Sequence, residues 1–198
     1  MKSLADSLIE LENDLSYRPA RISAHSDMPY AIFVYPPAEE FSMRKHLRLF
    51  SIKLSQNHGR QVKFLSIARM VWDTIRIYGL EDLYKTEMLR GFGAAQKHVH
   101  QLITGPDFKP LTETVMEKIS NLTPDDNVVF LVRAGGFAPS ICSISWLLEG
   151  LHGKTDVPII VFYPGSVEAG SDLRFFNLPV RGNLGAYNYR VKIYGVVS

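Results

Sequence analysis

Two apolar stretches, Asn127-Val-Val-Phe-Leu-Val-Arg133 and Val157-Pro-Ile-Ile-Val-Phe-Tyr163, decide the class of fold. Both are short, continuous and rich in β-branched and aromatic residues, as buried strands of a parallel sheet are. Ala134-Gly135-Gly136 predicts a tight turn after the first, and Pro164-Gly165 predicts a type II turn after the second. A helix that begins at Pro139 is predicted between them. Its apolar stripe consists of Ile141, Ile144, Leu148 and Leu151.

The alternation of strands and helices extends toward the N-terminus. Residues 30–35 read as a buried strand, because Pro36-Pro37 cannot continue a central strand. An amphipathic helix is then predicted from Glu39 to Gly59, followed by a strand over 62–65 and a helix over 67–78. Leucines at helical spacing also predict a helix over 4–15. We expect residues 1–28 to form an N-terminal helical extension.

The pattern changes between residues 80 and 123, where helical pieces are broken by glycines. We interpret this segment as a helical insertion or lid. Apolar and polar residues alternate over 189–194, which predicts a last strand with one face exposed to solvent. Together these segments predict a single α/β domain over residues 1–198. Its mostly parallel sheet has helices on both faces, which is a doubly wound arrangement.

Composition excludes several classes of protein. The chain has 198 residues, 46% of them hydrophobic, with one cysteine and a net charge of +2. These values exclude collagen-like, disulfide-stapled and wholly disordered chains, and the length suffices for one sizeable core. Acidic residues interrupt the N-terminal segment, and the apolar run at 157–163 is too short to span a membrane. We therefore expect a soluble, cytoplasmic protein.

Charge is unevenly distributed. Residues 41–72 contain no acidic residue and seven basic ones: Arg44, Lys45, Arg48, Lys53, Arg60, Lys63 and Arg69. Such a segment attracts an acidic protein surface or nucleic-acid phosphates. A solvated helix face that keeps the protein soluble explains the charge about equally well.

The ends of the predicted strands are candidate binding positions, since open parallel sheets bind ligands there. The residues concerned are Tyr35, Pro36, Pro37, Arg133, Gly135, Gly136, Tyr163, Pro164 and Gly165. The alternative is that proline and glycine merely end the strands. The glycine pair before a helix could cradle an anion, but neither a phosphate loop nor a dinucleotide fingerprint is present.

No residue or motif in the sequence identifies a catalytic reaction. Cys142 lies in an apolar run and is expected to be a small buried hydrophobe rather than a thiolate. Ser166 lacks the flanking glycines of a nucleophile elbow and is predicted to be a turn residue. The side chains of His98 and His100 point in different directions if both residues lie on a helix. No cysteine or acidic residue lies near them at a spacing typical of a metal site. We expect neither a metal nor a cofactor.

Several of these segments, in this order, resemble the BrxB family. They are residues 32–37, Gly135-Gly136, Pro139, Leu147-Leu148, 157–165 and Tyr187-Asn-Tyr189-Arg190. The family consists of small components of bacterial phage-exclusion (BREX) defence systems. The resemblance covers residues 30–194, and its most specific element is the Phe-Tyr-Pro-Gly run at 162–165. The family pattern has Arg and His on the helix after the glycine turn, where this chain has Cys142 and Ile144.

The resemblance implies no established catalysis. It implies a protein that works beside a BrxC-like ATPase, a PglZ-like phosphatase and a PglX-like DNA methyltransferase. The first hypothesis is therefore an adaptor, with Phe137 and Trp72 as apolar anchors. Arg44, Lys45, Arg48 and Lys53 would then orient the partner. Whether the chain forms a homodimer stays open.

Two other functions stay open as alternatives. A small phosphoester or nucleotide hydrolase could use Arg133, Arg174 or Arg190 as phosphate clamps, although a base or nucleophile is missing. Direct DNA binding through residues 41–72 is the third hypothesis, and its affinity would fall steeply with salt.

Overall fold

The structure is a computed structural model that describes residues 3–23, 28–138, 141–167, 173–176 and 191–195. The helices are α1 (Leu4–Ser16), α2 (Glu40–His58), α3 (Ile67–Tyr78), α4 (Leu80–Arg90), α5 (Phe92–Thr104), α6 (Leu111–Ile119) and α7 (Ile144–Leu151). The strands are β1 (Tyr30–Tyr35), β2 (Gln61–Ser66), β3 (Asn127–Val132), β4 (Ile159–Val167), β5 (Leu173–Phe175) and β6 (Lys192–Gly195).

The sheet is mostly parallel, as the sequence predicts. Its strand order is β2-β3-β4-β1-β6, and every neighbouring pair on this path is parallel. The short strand β5 pairs with the end of β4 in the antiparallel direction. Parallel strands require crossover connections, and helices supply three of them: α2 between β1 and β2, α3 to α6 between β2 and β3, and α7 between β3 and β4.

Helices cover both faces of the sheet and create two apolar cores. Alternate residues of β1 point in opposite directions, so Ile32 and Val34 enter one core while Ala31 and Phe33 enter the other. The first core lies under α3, α5, α6 and α7. The second lies under α1 and α2. This is the predicted three-layer α/β arrangement with helices on both faces.

The N-terminal helix α1 contributes to the second core. Its first turn is closed by a capping box between Ser3 and Asp6. Leu11 and Leu15 are fully buried against the sheet. At its end, the Asp14 carboxylate accepts hydrogen bonds from the Lys192 amine and, at 2.6 Å, from the Tyr194 hydroxyl. These contacts hold α1 against the sheet edge formed by β6.

The prediction that Pro164-Gly165 ends the fourth strand is wrong. Pro164 pairs with Tyr35 of β1, and Gly165 pairs with Phe175 of β5, so β4 continues through both residues. A Cβ on Gly165 would lie 2.1 Å from the Arg174 carbonyl oxygen, which explains the glycine. Ser166, predicted in a turn, is likewise a strand residue.

Helix α7 begins at Ile144, later than the predicted start at Pro139, which lies outside the described residues. Ser143 caps it by accepting a hydrogen bond from the Trp146 amide. Cys142 therefore precedes the helix. The predicted turn after β3 is a short 3₁₀ helix, Ala134–Phe137.

The helical insertion is confirmed, since α4, α5 and α6 fill residues 80–119. None of the helices in the described ranges is long and apolar enough to cross a membrane. The predicted last strand is present as β6, which runs parallel to β1. Tyr189 and Arg190 lie outside the described residues.

Candidate functional site

A cleft of about 410 Å³ opens at the carboxyl edge of the sheet, on the side covered by α2. It lies where β1 turns into α2 on one face of the sheet and β3 turns toward α7 on the other. Strand β4 lies between them, and open parallel sheets form ligand crevices at the carboxyl ends of their strands where the connections leave on opposite faces. The lining residues are Tyr35, Glu40, Met43, Arg44, Leu47, Arg48, Phe64, Val132, Arg133 and Phe162.

The floor of the cleft is apolar. It is formed by Met43 and Leu47 of α2 and by Phe162 of β4. At one side Phe64 is 39% exposed and packs edge-on against the buried Phe130, with ring centroids 5.5 Å apart. A ligand in the cleft would therefore meet an aromatic ring at one wall and aliphatic side chains below.

The rim is charged. Arg44 and Arg48 project from α2, Arg133 follows β3, and Glu40 begins α2. The Glu40 carboxylate accepts a hydrogen bond from the Tyr35 hydroxyl and one at 3.1 Å from Arg44. Burial, and then this hydrogen bond to a carboxylate, raise the pKa of Tyr35 far above its usual value. Tyr35 is therefore a permanent donor that fixes Glu40.

Arg133 has a strained backbone. Its φ of 59° and ψ of 45° place it in the left-handed region, which disfavours residues with a Cβ. The residue sits between the end of β3 and the 3₁₀ helix, so its side chain is exposed beside the cleft. Strain at a ligand-facing position is a common feature of functional sites.

The neighbouring Gly135 and Gly136 do not line this cleft. A Cβ on Gly136 would lie 2.5 Å from the Ala68 Cα, so this glycine permits close packing of the 3₁₀ helix against α3. Pro36 and Pro37 end β1 and start the short 3₁₀ turn before α2. Of the predicted strand-end residues, the cleft brings together Tyr35 and Arg133.

The basic segment 41–72 is not a uniform contact surface. The Lys53 side chain is 52% exposed, but its amine donates a hydrogen bond of 2.6 Å to Glu12 of α1, so its charge is paired within the protein. Burial alone would raise the pKa of Glu12, but hydrogen bonds from Lys53, His58 and Asn57 outweigh it and lower that pKa. Arg69 pairs with Asp73 one turn further along α3.

Arg60 is fully buried and structural. Its guanidinium donates to the carbonyl oxygens of Tyr17, Pro124 and Asn127 at 2.8 to 3.1 Å. These bonds hold the chain after α1 and the loop before β3 against the start of β2. Burial lowers the pKa of Arg60 from its usual value. Its charge is therefore not displayed to a partner.

The two predicted apolar anchors differ. Trp72 on α3 is 48% exposed and accessible, whereas Phe137 is 1% exposed and belongs to the first core. The prediction of Phe137 as a contact residue is therefore wrong, because the 3₁₀ helix turns its ring inward. A sequence pattern that ends a strand does not show which way the next side chain points.

Of the arginines proposed for a hydrolase, Arg133 alone is shown to line the cleft. Arg174 lies in β5 and is not among the cleft residues, and Arg190 lies outside the described ranges. Burial raises the pKa of Cys142 to about 12, so this thiol is not a nucleophile at neutral pH. Within the described residues, no group of three or more His, Cys, Asp and Glu could hold a metal ion.

One surface that sequence reasoning missed lies on the insertion. No residue of α4 is buried, and Leu80, Tyr84 and Met88 form an outward stripe at a spacing of four residues. Leu89, 82% exposed, and Phe92 extend this surface. The four-residue spacing is visible in the sequence, but it is typical of a core face as much as of an exposed one.

The comparisons with known proteins decide the family. The family model described as BREX protein BrxB matches residues 63–193, from β2 to β6. This chain belongs to the BrxB family. A BREX protein BrxB of Bacillus cereus (strain H3081.97) is 23% identical over 177 residues, covering 86% of this chain and 87% of that protein. No solved structure matches the chain.

Family membership makes this chain a BREX-associated protein, as the resemblance implies. The matched segment includes Arg133 and the insertion helices α4, α5 and α6. Helix α2, with Arg44 and Arg48, precedes the segment matched by the family model.

Proposed function

We propose that this chain is a non-catalytic adaptor of a BREX anti-phage defence system, which holds two larger components of that system together. The observation that supports it best is the exposed apolar stripe of α4. Large apolar patches on a folded protein mark interaction sites, because their exposure to water is unfavourable.

A bridging role needs a second surface. Helix α2, on the opposite face of the sheet, carries exposed Phe41, Leu49 and Ile52. Leu49 also lines a groove of about 240 Å³ between α1 and α2. A protein with apolar helix surfaces on opposite faces of its sheet is suited to contact two bodies at once.

Charge distinguishes the two surfaces. Lys45, which is exposed and does not line the cleft, lies one turn from both Phe41 and Leu49 on α2, so this surface suits a partner with an acidic contact region. The stripe on α4 is mainly apolar, and the exposed Trp72 lies on the adjacent α3. We therefore assign the two surfaces to two different partners, such as the ATPase and the phosphatase of the system.

The test is co-purification of the tagged full chain from cells that carry the remaining BREX genes. The variant Tyr84→Glu/Met88→Glu adds charge to α4, and Leu49→Glu/Ile52→Glu adds the same charge to α2. We expect each variant to lose at least nine tenths of one partner while keeping the other, because a buried unpaired carboxylate opposes association.

Lys154→Glu is the matched control, since it changes the net charge equally at an exposed loop after α7. It should recover both partners at wild-type levels. Circular dichroism and thermal unfolding show whether each variant keeps its fold. Recovery of both partners by both folded double variants would contradict the adaptor proposal.

A further inference from the structure

The cleft under α2 has the form of a small-molecule site. Its volume of about 410 Å³ lies within the roughly 300–1,000 Å³ typical of ligand pockets. It combines an apolar floor with a few convergent polar groups, which is the usual composition of such pockets. The adaptor surfaces on α4 and on the outer side of α2 leave this cavity unexplained.

The charge of the rim selects a doubly negative ligand. Three arginines, Arg44, Arg48 and Arg133, face one carboxylate, Glu40, so the rim carries a net charge of +2. Glu40 is already held by Tyr35 and Arg44. The guanidinium groups of Arg48 and Arg133 form no hydrogen bond or ion pair with any residue that the structure describes.

Guanidinium groups match phosphate oxygens in geometry as well as in charge. A phosphate monoester carries a charge of about −1.5 to −2 at neutral pH, which balances the rim. This recognition needs no glycine-rich loop, and it agrees with the absence of a phosphate-loop motif from the sequence.

The walls of the cleft select the other end of the ligand. The partly exposed ring of Phe64 stands beside the aliphatic floor formed by Met43 and Leu47. A flat apolar group placed there would be covered from water and would contact an aromatic ring. A bare inorganic anion would leave this half of the cleft unused.

We propose that the cleft binds a small organic phosphate with a flat ring system, of the size of a nucleoside monophosphate. The phosphate lies between Arg48 and Arg133, and the base lies against Phe64. The cleft shares no lining residue with the α4 surface or with the exposed Phe41, Leu49 and Ile52 of α2, so its occupancy does not depend on the adaptor proposal.

The experiment is isothermal titration calorimetry of the full chain with AMP, adenosine and inorganic phosphate. We expect AMP to bind at least tenfold more tightly than either fragment. Arg48→Gln and Arg133→Gln should each weaken AMP binding at least tenfold. Arg69→Gln is the matched control, because Arg69 is an exposed arginine of α3 outside the cleft.

Three results would overturn the proposal. One is no saturable AMP binding at millimolar concentration. Another is AMP affinity that Arg48→Gln and Arg133→Gln leave unchanged. The third is inorganic phosphate that binds as tightly as AMP, which would indicate an anion site without a base pocket. Thermal unfolding of each variant shows that a lost affinity is not lost folding, and partner recovery tests the adaptor function separately.

Discussion

Arg133 combines an unfavourable backbone conformation with an exposed side chain at the cleft. A left-handed conformation costs a residue with a Cβ roughly 1–2 kcal/mol, which glycine avoids. The position follows a strand and precedes a 3₁₀ helix, where glycine would serve the fold at least as well. The presence of arginine there is consistent with a role in binding rather than in stability.

This argument predicts the effect of Arg133→Gly. Relief of strain offsets the larger conformational entropy of unfolded glycine, so we expect the free energy of unfolding to be equal to wild type or up to about 1 kcal/mol higher. Arg69→Gly, the same change within α3, should lower it by roughly 0.5–1 kcal/mol. Urea unfolding measures both. A loss above about 1 kcal/mol in Arg133→Gly would show that the arginine side chain stabilises the fold.

The sequence shows how many charges a segment carries, but it does not show which of them are buried or paired with another residue. Arg60 and Lys53 belong to the same basic segment as Arg48. Arg60 is buried because carbonyl acceptors 43 to 67 residues away surround it, and Lys53 is held by a carboxylate 41 residues away. The surroundings of these three residues differ only because distant segments pack against two of them. Local sequence patterns therefore predicted a basic segment, but they did not predict the cleft.

At the level of elements, the 3₁₀ helix after β3 lies unusually close to the start of α3. Gly136 makes this approach possible, since a Cβ there would overlap the Ala68 backbone. The contact fixes the 3₁₀ helix against the first turn of α3, and therefore fixes Arg133, which directly precedes the 3₁₀ helix, relative to the cleft.

We therefore expect Gly136→Ala to lower the free energy of unfolding by about 1–3 kcal/mol, because the backbone must move to relieve the overlap. Gly93→Ala is the matched control. Nothing lies within 4 Å of a Cβ at Gly93 in α5, so alanine should be neutral or stabilise the helix by up to about 1 kcal/mol. Chemical denaturation compares the two. Equal stability of both variants would contradict the close-packing explanation.

The elements that could be predicted from the sequence are those whose signal is local. The continuous apolar runs of β1, β3 and β4 indicated strands, and the striped segments indicated α2 and α3. The predicted end of β4 was wrong, because strand pairing overrode the turn propensity of Pro164-Gly165. The Pro164 carbonyl accepts a hydrogen bond from the Phe176 amide, and Gly165 pairs with β5. Such partners are not visible in a local window.

At the level of the whole molecule, α1 closes the layer that covers one face of the sheet. Asp14 ties it to β6, and Glu12 ties it to α2 through Lys53, Asn57 and His58. The leucine stripe predicted the helix, but not these ties, because their partners lie 41 to 180 residues away. The layer that α1 completes also carries the cleft, since α2 belongs to both.

The tie at Glu12 predicts how acid affects the molecule. Because the pKa of Glu12 is lowered in the folded state, its ionised form stabilises folding above the unfolded pKa of about 4.5. This contribution is lost as the pH falls below 4.5 through the lower folded pKa. Glu12→Gln should therefore lower the free energy of unfolding by about 1–3 kcal/mol at pH 7. The difference from wild type should shrink as the pH falls below 4.5.

Urea unfolding between pH 7 and pH 3 measures this difference directly. Glu117→Gln is the matched control, because Glu117 pairs with Lys109 in an exposed ion pair on the other face of the sheet. Exposed ion pairs contribute little to stability, so Glu117→Gln should change the free energy of unfolding at pH 7 by no more than about 0.5 kcal/mol. A Glu12→Gln deficit that is the same at both ends of the pH range would show that the side chain stabilises α1 by packing.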